Sequence, residues 1–299
     1  MNYIFHLLIY FSFYTILALS LNIILGYSGM FSLAHAAFFS LGAYTYGILC
    51  VRFGWDSVSA SVVGIAFAML FSLLISLPSW RLSGDYLLVA TMAAQALIFS
   101  LIYNWHELGR PLGSLSNLTN GPYGIMNVPR PRFLGIELNT IGGTAAAAAA
   151  TAVLIAVLVR VLTISPWGRL LEAIRDDELA AKNLGKNVRL AKVQALAVGC
   201  GLAAVSGSIY ASYANYVDPS ICTIEESVVV LSMVLVGGLA SFYGPIVGAL
   251  LMVAIPELLR FLSLPQAAAA NLRLLILGLL LVLMVHLRPQ GIAGKYRVE

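Results

Sequence analysis

The chain has 299 residues, 60% of them apolar and only 10% charged, with a mean hydropathy of +0.91 and a formal net charge of +4. Soluble domains carry about 25% charged residues, so this composition excludes an ordinary soluble domain. In a membrane protein a basic excess reports topology, not affinity for nucleic acid.

A bilayer-spanning helix takes about 20 mostly apolar residues, which leaves room for about 8–10 spans. Apolar runs place spans near residues 3–25, 31–50, 57–78, 85–105, 141–163, 191–213, 225–240, 244–262 and 271–287. The first run, Tyr3 to Leu25, is too long and too aromatic for a cleaved signal peptide and lacks a basic start. The expected fold is an all-α, polytopic transmembrane helical bundle in a single domain, 1–299.

Glycine interrupts the apolar pattern early. Gly26, Tyr27, Ser28 and Gly29 fall between the first two spans, followed by Ser32 and His35. In lipid an interrupted helix must be packed in protein or line a cavity, and its freed amides and carbonyls can hold the charged ends of an amino acid. A plain turn between two helices fits the spacing equally well. A lone membrane histidine such as His35 reads first as a helix-to-helix hydrogen bonder.

Residues 106–140 are rich in Gly, Pro and Asn and form a loop too long to be a simple connection. The small-residue tract Gly142–Ala150 favours close approach of a neighbouring helix. Gly199, Ala203, Gly207 and Ala211 form one small face at four-residue spacing, and Gly244 and Gly248 form another. Gly237 and Gly238, with Gly244 and Pro245, bracket a second helix break. Glu225 and Glu226 are expected at the external start of that helix, where acids suit the dipole. Cys50, Cys200 and Cys222 form no C-x-x-C pair and no metal-ligand spacing.

Ten of the thirty charged residues crowd into the 28 residues Ser165–Lys192. Ser165 is placed to cap a helix, Pro166 suits its first turn, and Gly185 is a natural stop. An uninterrupted amphipathic helix is expected over 169–184, with Arg169–Glu172, Glu172–Arg175 and Glu178–Lys182 as supporting pairs. Leu170, Leu171 and Ile174 are expected to supply its contact with a partner. The basic residues of this loop and of the C-terminal tail put both in the cytoplasm, with 106–140 outside. Four acids, Glu172, Asp176, Asp177 and Glu178, disfavour docking on an anionic leaflet and suit a protein partner.

No phosphate-cradling loop, nucleophile elbow or metal signature appears, so no catalytic residue and no metal site is expected. Mid-span charges are almost absent, which argues against a secondary transporter driven by an ion gradient.

The segment "GRLLEAIRDDELAAKNLGKNVRLAKVQALAVGCGLAAVSGSIYA" resembles the coupling segment of branched-chain amino-acid ABC importer permeases. "GYSGMFSLAHAAFFSLGAYTYGIL", "LVGGLASFYGPIVGALLMVAIPELLR" and "LTNGPYGIMNVPRPRFLG" are similar to three further motifs of that family, in the family's order. The last belongs to its LivM type. Two departures are small: Thr119-Asn120-Gly121 stands for a usual Thr-Gly-Gly, and Ser206-Gly207 for a usual Ala-Gly.

The resemblance implies an ABC importer permease with broken helices in the bacterial cytoplasmic (inner) membrane. Its residues 165–190 would couple to an ATPase through Arg169, Leu170, Leu171, Glu172, Ile174, Arg175, Asp176, Asp177, Glu178, Asn183 and Gly185. Gly26, Tyr27, Ser28, Gly29, Ser32, His35, Gly237 and Gly238 would lie on the translocation path. Gly121, Tyr123, Gly124, Pro129 and Pro131 would receive a periplasmic or extracellular substrate-binding protein. The implied partners are also a second, LivH-type permease subunit, two ABC ATPase subunits and membrane lipid, with no nucleic acid. No cofactor is expected in this chain, since ATP and Mg would sit on the ATPase. Leu, Ile and Val are the implied substrates, with urea or short-chain amides as the alternative.

Overall fold

The computed structural model describes residues 2–79, 85–107, 109–133, 136–138, 140–260, 266–288 and 290–294. Helix α1 (Asn2–Asn22) runs into a π turn at Ile23–Tyr27. Then follow α2 (His35–Phe53), α3 (Ser57–Ser79) and α4 (Asp85–Asn104). The long loop leads to α5 (Ile141–Ile164), the short helices α6 (Pro166–Asp176) and α7 (Glu178–Asn183), and the long α8 (Val188–Ala214). The chain ends with α9 (Ile224–Gly237), α10 (Tyr243–Arg260) and α11 (Gln266–Leu287). Each span expected from the sequence has its helix. Among the described residues six are long and apolar enough to cross a membrane: α1 with its π turn, α2, α3, α4, α5 and α8.

The core forms around α8, which packs on α1, α2 and α3. Gly199 lies against Ile24 and Ser20 of α1, and Gly207 against the Phe39 carbonyl of α2, as the small-residue face requires. Ala203 and Ala211 on that face are fully buried. Without a hydrophobic drive between helices in lipid, such close backbone approach is what holds them together. The alanine tract of α5 packs on α1 in the same way, with Ala145 and Ala148 buried. The three cysteines are free and buried.

At one end of the bundle, β1 (Ile125–Met126) pairs antiparallel with β4 (Tyr216–Val217), which ties the long loop to the end of α8. A second two-residue pair, β2 (Arg132–Phe133) with β3 (Ile136–Glu137), lies within the loop. At the other end lie α6, α7 and the tail 290–294.

Two sequence expectations need correction. The helix expected over 169–184 breaks at Asp177, whose extended backbone (φ −154°, ψ 104°) ends α6. Its carboxylate accepts from the Ala180 amide at 2.9 Å, so it caps α7 instead of continuing α6. The pair expected between Glu178 and Lys182 gives way to one between Glu178 and Lys192 of α8. Glu225 and Glu226, expected at the external end of a full span, head a helix of only 14 residues. At 1.5 Å per residue α9 spans about 21 Å, short of the roughly 30 Å hydrocarbon core. It starts beside Gln95, halfway along α4.

Because a Cβ at Gly207 would collide with backbone of α2, Gly207→Val forces α2 and α8 apart. A loss of about 1–3 kcal/mol is expected, read as earlier thermal unfolding in detergent. Gly278→Ala, inside α11 where nothing stands in the way, is the control and should keep or slightly raise the melting temperature.

Candidate coupling and translocation site

Three of the broken or terminal segments meet at the end of the bundle that carries α6. The π turn of α1 leaves carbonyls free, and local groups take them. The Gly29 amide donates to Leu25 O at 3.1 Å, the Met30 amide to Ile24 O at 3.0 Å, and Ser28 Oγ also to Ile24 O at 2.6 Å. Gly26 O is taken from outside the turn, by Arg175 Nη1 of α6 at 2.8 Å. Gly29 makes room for this contact. Its φ is +70°, and a Cβ there would lie 2.8 Å from Arg175 Cγ.

Asn22, one turn earlier, is completely buried. Its Nδ2 donates to Ser241 O at 2.9 Å, and its Oδ1 accepts from the Ala240 amide at 3.1 Å. Ala240 sits in the turn between α9 and α10 at φ +54°, a conformation that costs an L residue about 1 kcal/mol and persists only when its surroundings hold it. The C-terminal tail holds the other side of the same break: the Ile292 and Ala293 amides donate to Val236 O and Gly237 O at 3.0 and 2.9 Å. Ser241 Oγ donates to Gly238 O and accepts from the Gly244 amide. The predicted residues Gly26, Tyr27, Ser28, Gly29, Gly237 and Gly238 thus all belong to one node.

Ser32 and His35 belong to a second node, deeper in the bundle. His35 Nε2 lies 2.7 Å from Ser20 Oγ, the helix-to-helix bond expected of it, and its Nδ1 is buried without a hydrogen-bond partner. Here the first turns of α2 and α9 converge on Gln95. Its Oε1 accepts from the Ala37 amide at 2.9 Å, and its Nε2 donates to Cys222 O at 2.6 Å. Ser227 Oγ accepts from the Ala36 amide, and Thr91 Oγ1 from the Leu33 amide. The amides around the start of α2 are satisfied in this way by side chains of α4 and α9, and Gln95 also holds the Cys222 carbonyl just before α9. Asn22 and Gln95 were not singled out from the sequence, although a lone carboxamide in an apolar run is a signal that could have found them.

The coupling segment divides into an inner and an outer face. Leu171 and Ile174, expected to meet a partner, are 1% and 3% exposed and belong to this chain's own core. Leu170 packs partly against it. The Arg175 side chain is only 11% exposed, and its guanidinium binds Asp176 as well as Gly26. Arg169 is exposed and reaches back to Ile164 O at 3.2 Å, while Glu172 is half-buried. Asp176, Asp177, Glu178, Asn183 and Gly185 are exposed. With them stand two large apolar side chains, Leu184, which the helical wheel sets near Leu170 and Ile174, and Leu179, at 79% and 72%. Between α7 and the start of α8 lies a groove of about 460 Å³ lined by Glu178, Lys182, Lys186, Arg189 and Lys192.

In the long loop between α4 and α5 Gly121 and Gly124 are buried, with φ +50° and +65°, and have a structural place rather than a docking one. A Cβ at Gly121 would meet the Tyr103 carbonyl and His106, and one at Gly124 the Val217 carbonyl. Pro131 is buried too, and Pro129 and Tyr123 are exposed. Leu115 and Met126 are exposed beside them.

The burial of Ile174 makes a direct prediction. Ile174→Asp places a carboxylate without a partner in the core, at a cost of several kcal/mol, and should expose α6 and α7 to trypsin in this chain alone. Leu179→Asp, on the outer face, should leave the digestion pattern as it is.

A family model described as the permease component of a branched-chain amino acid transport system matches residues 3–285. The chain is 30% identical over 309 residues to the high-affinity branched-chain amino acid transport system permease protein LivM of Escherichia coli (strain K12), covering 96% of this chain and 69% of that protein. It is 25% identical over 332 residues to a probable LivM permease of Methanocaldococcus jannaschii, covering 96% and 92%. A shorter match, 26% over 150 residues, covers 48% of this chain and 41% of the autoinducer 2 import system permease protein LsrC of Salmonella typhi. No solved structure matches. The chain is thus a multi-pass inner-membrane protein and belongs to the family of branched-chain amino acid transport system permease components.

Proposed function

We propose that this chain is the membrane-spanning permease subunit of an ABC importer that moves Leu, Ile and Val into the cytoplasm. ATP is hydrolysed on separate ATPase subunits, which hold the nucleotide and its Mg, and this chain carries out no catalysis. The observation that carries the reading is the outer face of α6 and α7. A charged two-helix segment has turned its anchors Leu171 and Ile174 inward and still presents Leu179 and Leu184 beside Asp177, Glu178 and Lys182. Exposed leucines framed by mixed charge fit a groove on a soluble protein, with the leucines as anchors and the charges setting register.

On the opposite face, Tyr123, Met126, Pro129 and Leu115 receive the substrate-binding protein, while the buried glycines hold the loop's shape. The translocation path runs along the inner node of Ser32, His35, Gln95 and the first turn of α9. Phe31, Ile224 and Val228 there are 36%, 38% and 42% exposed, and the second permease subunit closes over them.

The reading is tested by rebuilding the importer in liposomes with its ATPase and binding protein and following leucine uptake. Uptake should require ATP inside and persist when the proton gradient is collapsed; uptake driven by a pH step through this chain alone contradicts the reading. Leu179→Asp combined with Leu184→Asp should lower the amount of ATPase co-purified by at least about tenfold, as loss of two interface anchors does. Tyr123→Ala should weaken stimulation of the ATPase by loaded binding protein and leave basal hydrolysis unchanged.

A further inference from the structure

Asn22 lies in an apolar helix, completely buried, and both ends of its carboxamide are used on backbone 218 and 219 residues away. Four residues later the Gly26 carbonyl is held by Arg175 of the coupling segment. Gly26 is itself hemmed in, since a Cβ there would run into both the Asn22 side chain and the Ala240 amide. The α9–α10 turn, the π turn and α6 are therefore in contact through one residue pair on each side of Gly26. Among the described residues each bond is the one that satisfies its backbone group: Arg175 for Gly26 O, Asn22 for the Ala240 amide and for Ser241 O.

We propose that Asn22 and Arg175 are positioning residues of one relay, through which displacement of α6 by the motor shifts the α9–α10 turn. This rests on the reading that α6 and α7 receive the ATPase. Displacing α6 pulls on Gly26 O through a side chain that is 11% exposed and anchored by Asp176. The π turn cannot move without Asn22, because Asn22 precedes it directly and Gly26 packs on the Asn22 carboxamide. Asn22 in turn cannot move without breaking the two bonds that fix Ala240 in its left-handed conformation. π turns are rare and recur at functional sites, and this one closes α1 where the chain leaves its helix. The other end of the turn opens, through α9, onto the inner node at Gln95. A movement of the cytoplasmic motor thereby reaches the site where α2 and α9 begin, with no charged residue crossing the membrane.

The test uses the complete importer in liposomes, with leucine as substrate, and reads uptake per ATP hydrolysed. Asn22→Leu keeps the side-chain branching and removes both bonds; Arg175→Met keeps an unbranched apolar stem and removes the contact to Gly26. Each should lower uptake per ATP by about tenfold, the effect of about 1.4 kcal/mol of lost coupling, while ATPase still co-purifies and basal hydrolysis continues. The double variant should fall no further than the worse single variant, because two links of one chain are not additive. Multiplied losses in the double variant, or unchanged uptake per ATP in either single variant, overturn the relay. Should Asn22→Leu fail to insert, Arg175→Met alone decides by the same criterion. An ATPase that does not co-purify with the wild-type chain overturns the docking reading itself, which separates that failure from failure of the relay.

Discussion

Lipid offers no hydrogen bonds to the peptide groups that a broken helix leaves free, and each unmet group costs several kcal/mol. This chain breaks its helices twice inside the bundle, at Ile23–Tyr27 and between Gly237 and Tyr243, and begins two more, α2 and α9, below the surface. The rest of the architecture follows from how those groups are met. Asn22 serves one break, Arg175 and the hydroxyl of Ser28 serve the other, and Gln95, Thr91 and Ser227 serve the start of α2. Small residues on α8 let α1 and α2 come close enough for these short side chains to reach.

The same constraint gives the coupling segment its character. A helix that only floated at the cytoplasmic surface would have no reason to bury Leu171 and Ile174 or to send an arginine to a membrane-embedded carbonyl. Here α6 is part of the core on its inner side and free on its outer side, and Asp177 ends it so that α7 can turn away. The tail residues 290–294 add a third attachment at the same end, across Val236 and Gly237.

Much of this was legible in the sequence, because composition and span length are strong signals in a membrane protein. The positions of the six membrane-length helices, the break at Gly26–Gly29, the small faces at Gly199–Ala211 and the helix-to-helix role of His35 all follow from local patterns. What did not follow depends on distant partners. Asn22 and Gln95 look like isolated polar residues until the fold brings Ala240, Ser241 and Cys222 beside them. Leu171 and Ile174 were assigned to a partner because an amphipathic helix shows which of its faces is apolar but not what covers it. A docking role read for Gly121 and Gly124 from the sequence gives way in the same manner, since positive φ and backbone crowding from Tyr103 and Val217 account for both.

Hydrogen–deuterium exchange on the assembled importer in lipid nanodiscs tests the central claim most directly. If the breaks are built into one node, the amides of Ala240 and Gly244 exchange as slowly as those in the middle of α9 and α10, although they lie at or beyond helix ends. Rapid exchange at Ala240 and Gly244, with α9 and α10 protected on either side, would show an open turn with no partner and would contradict the account.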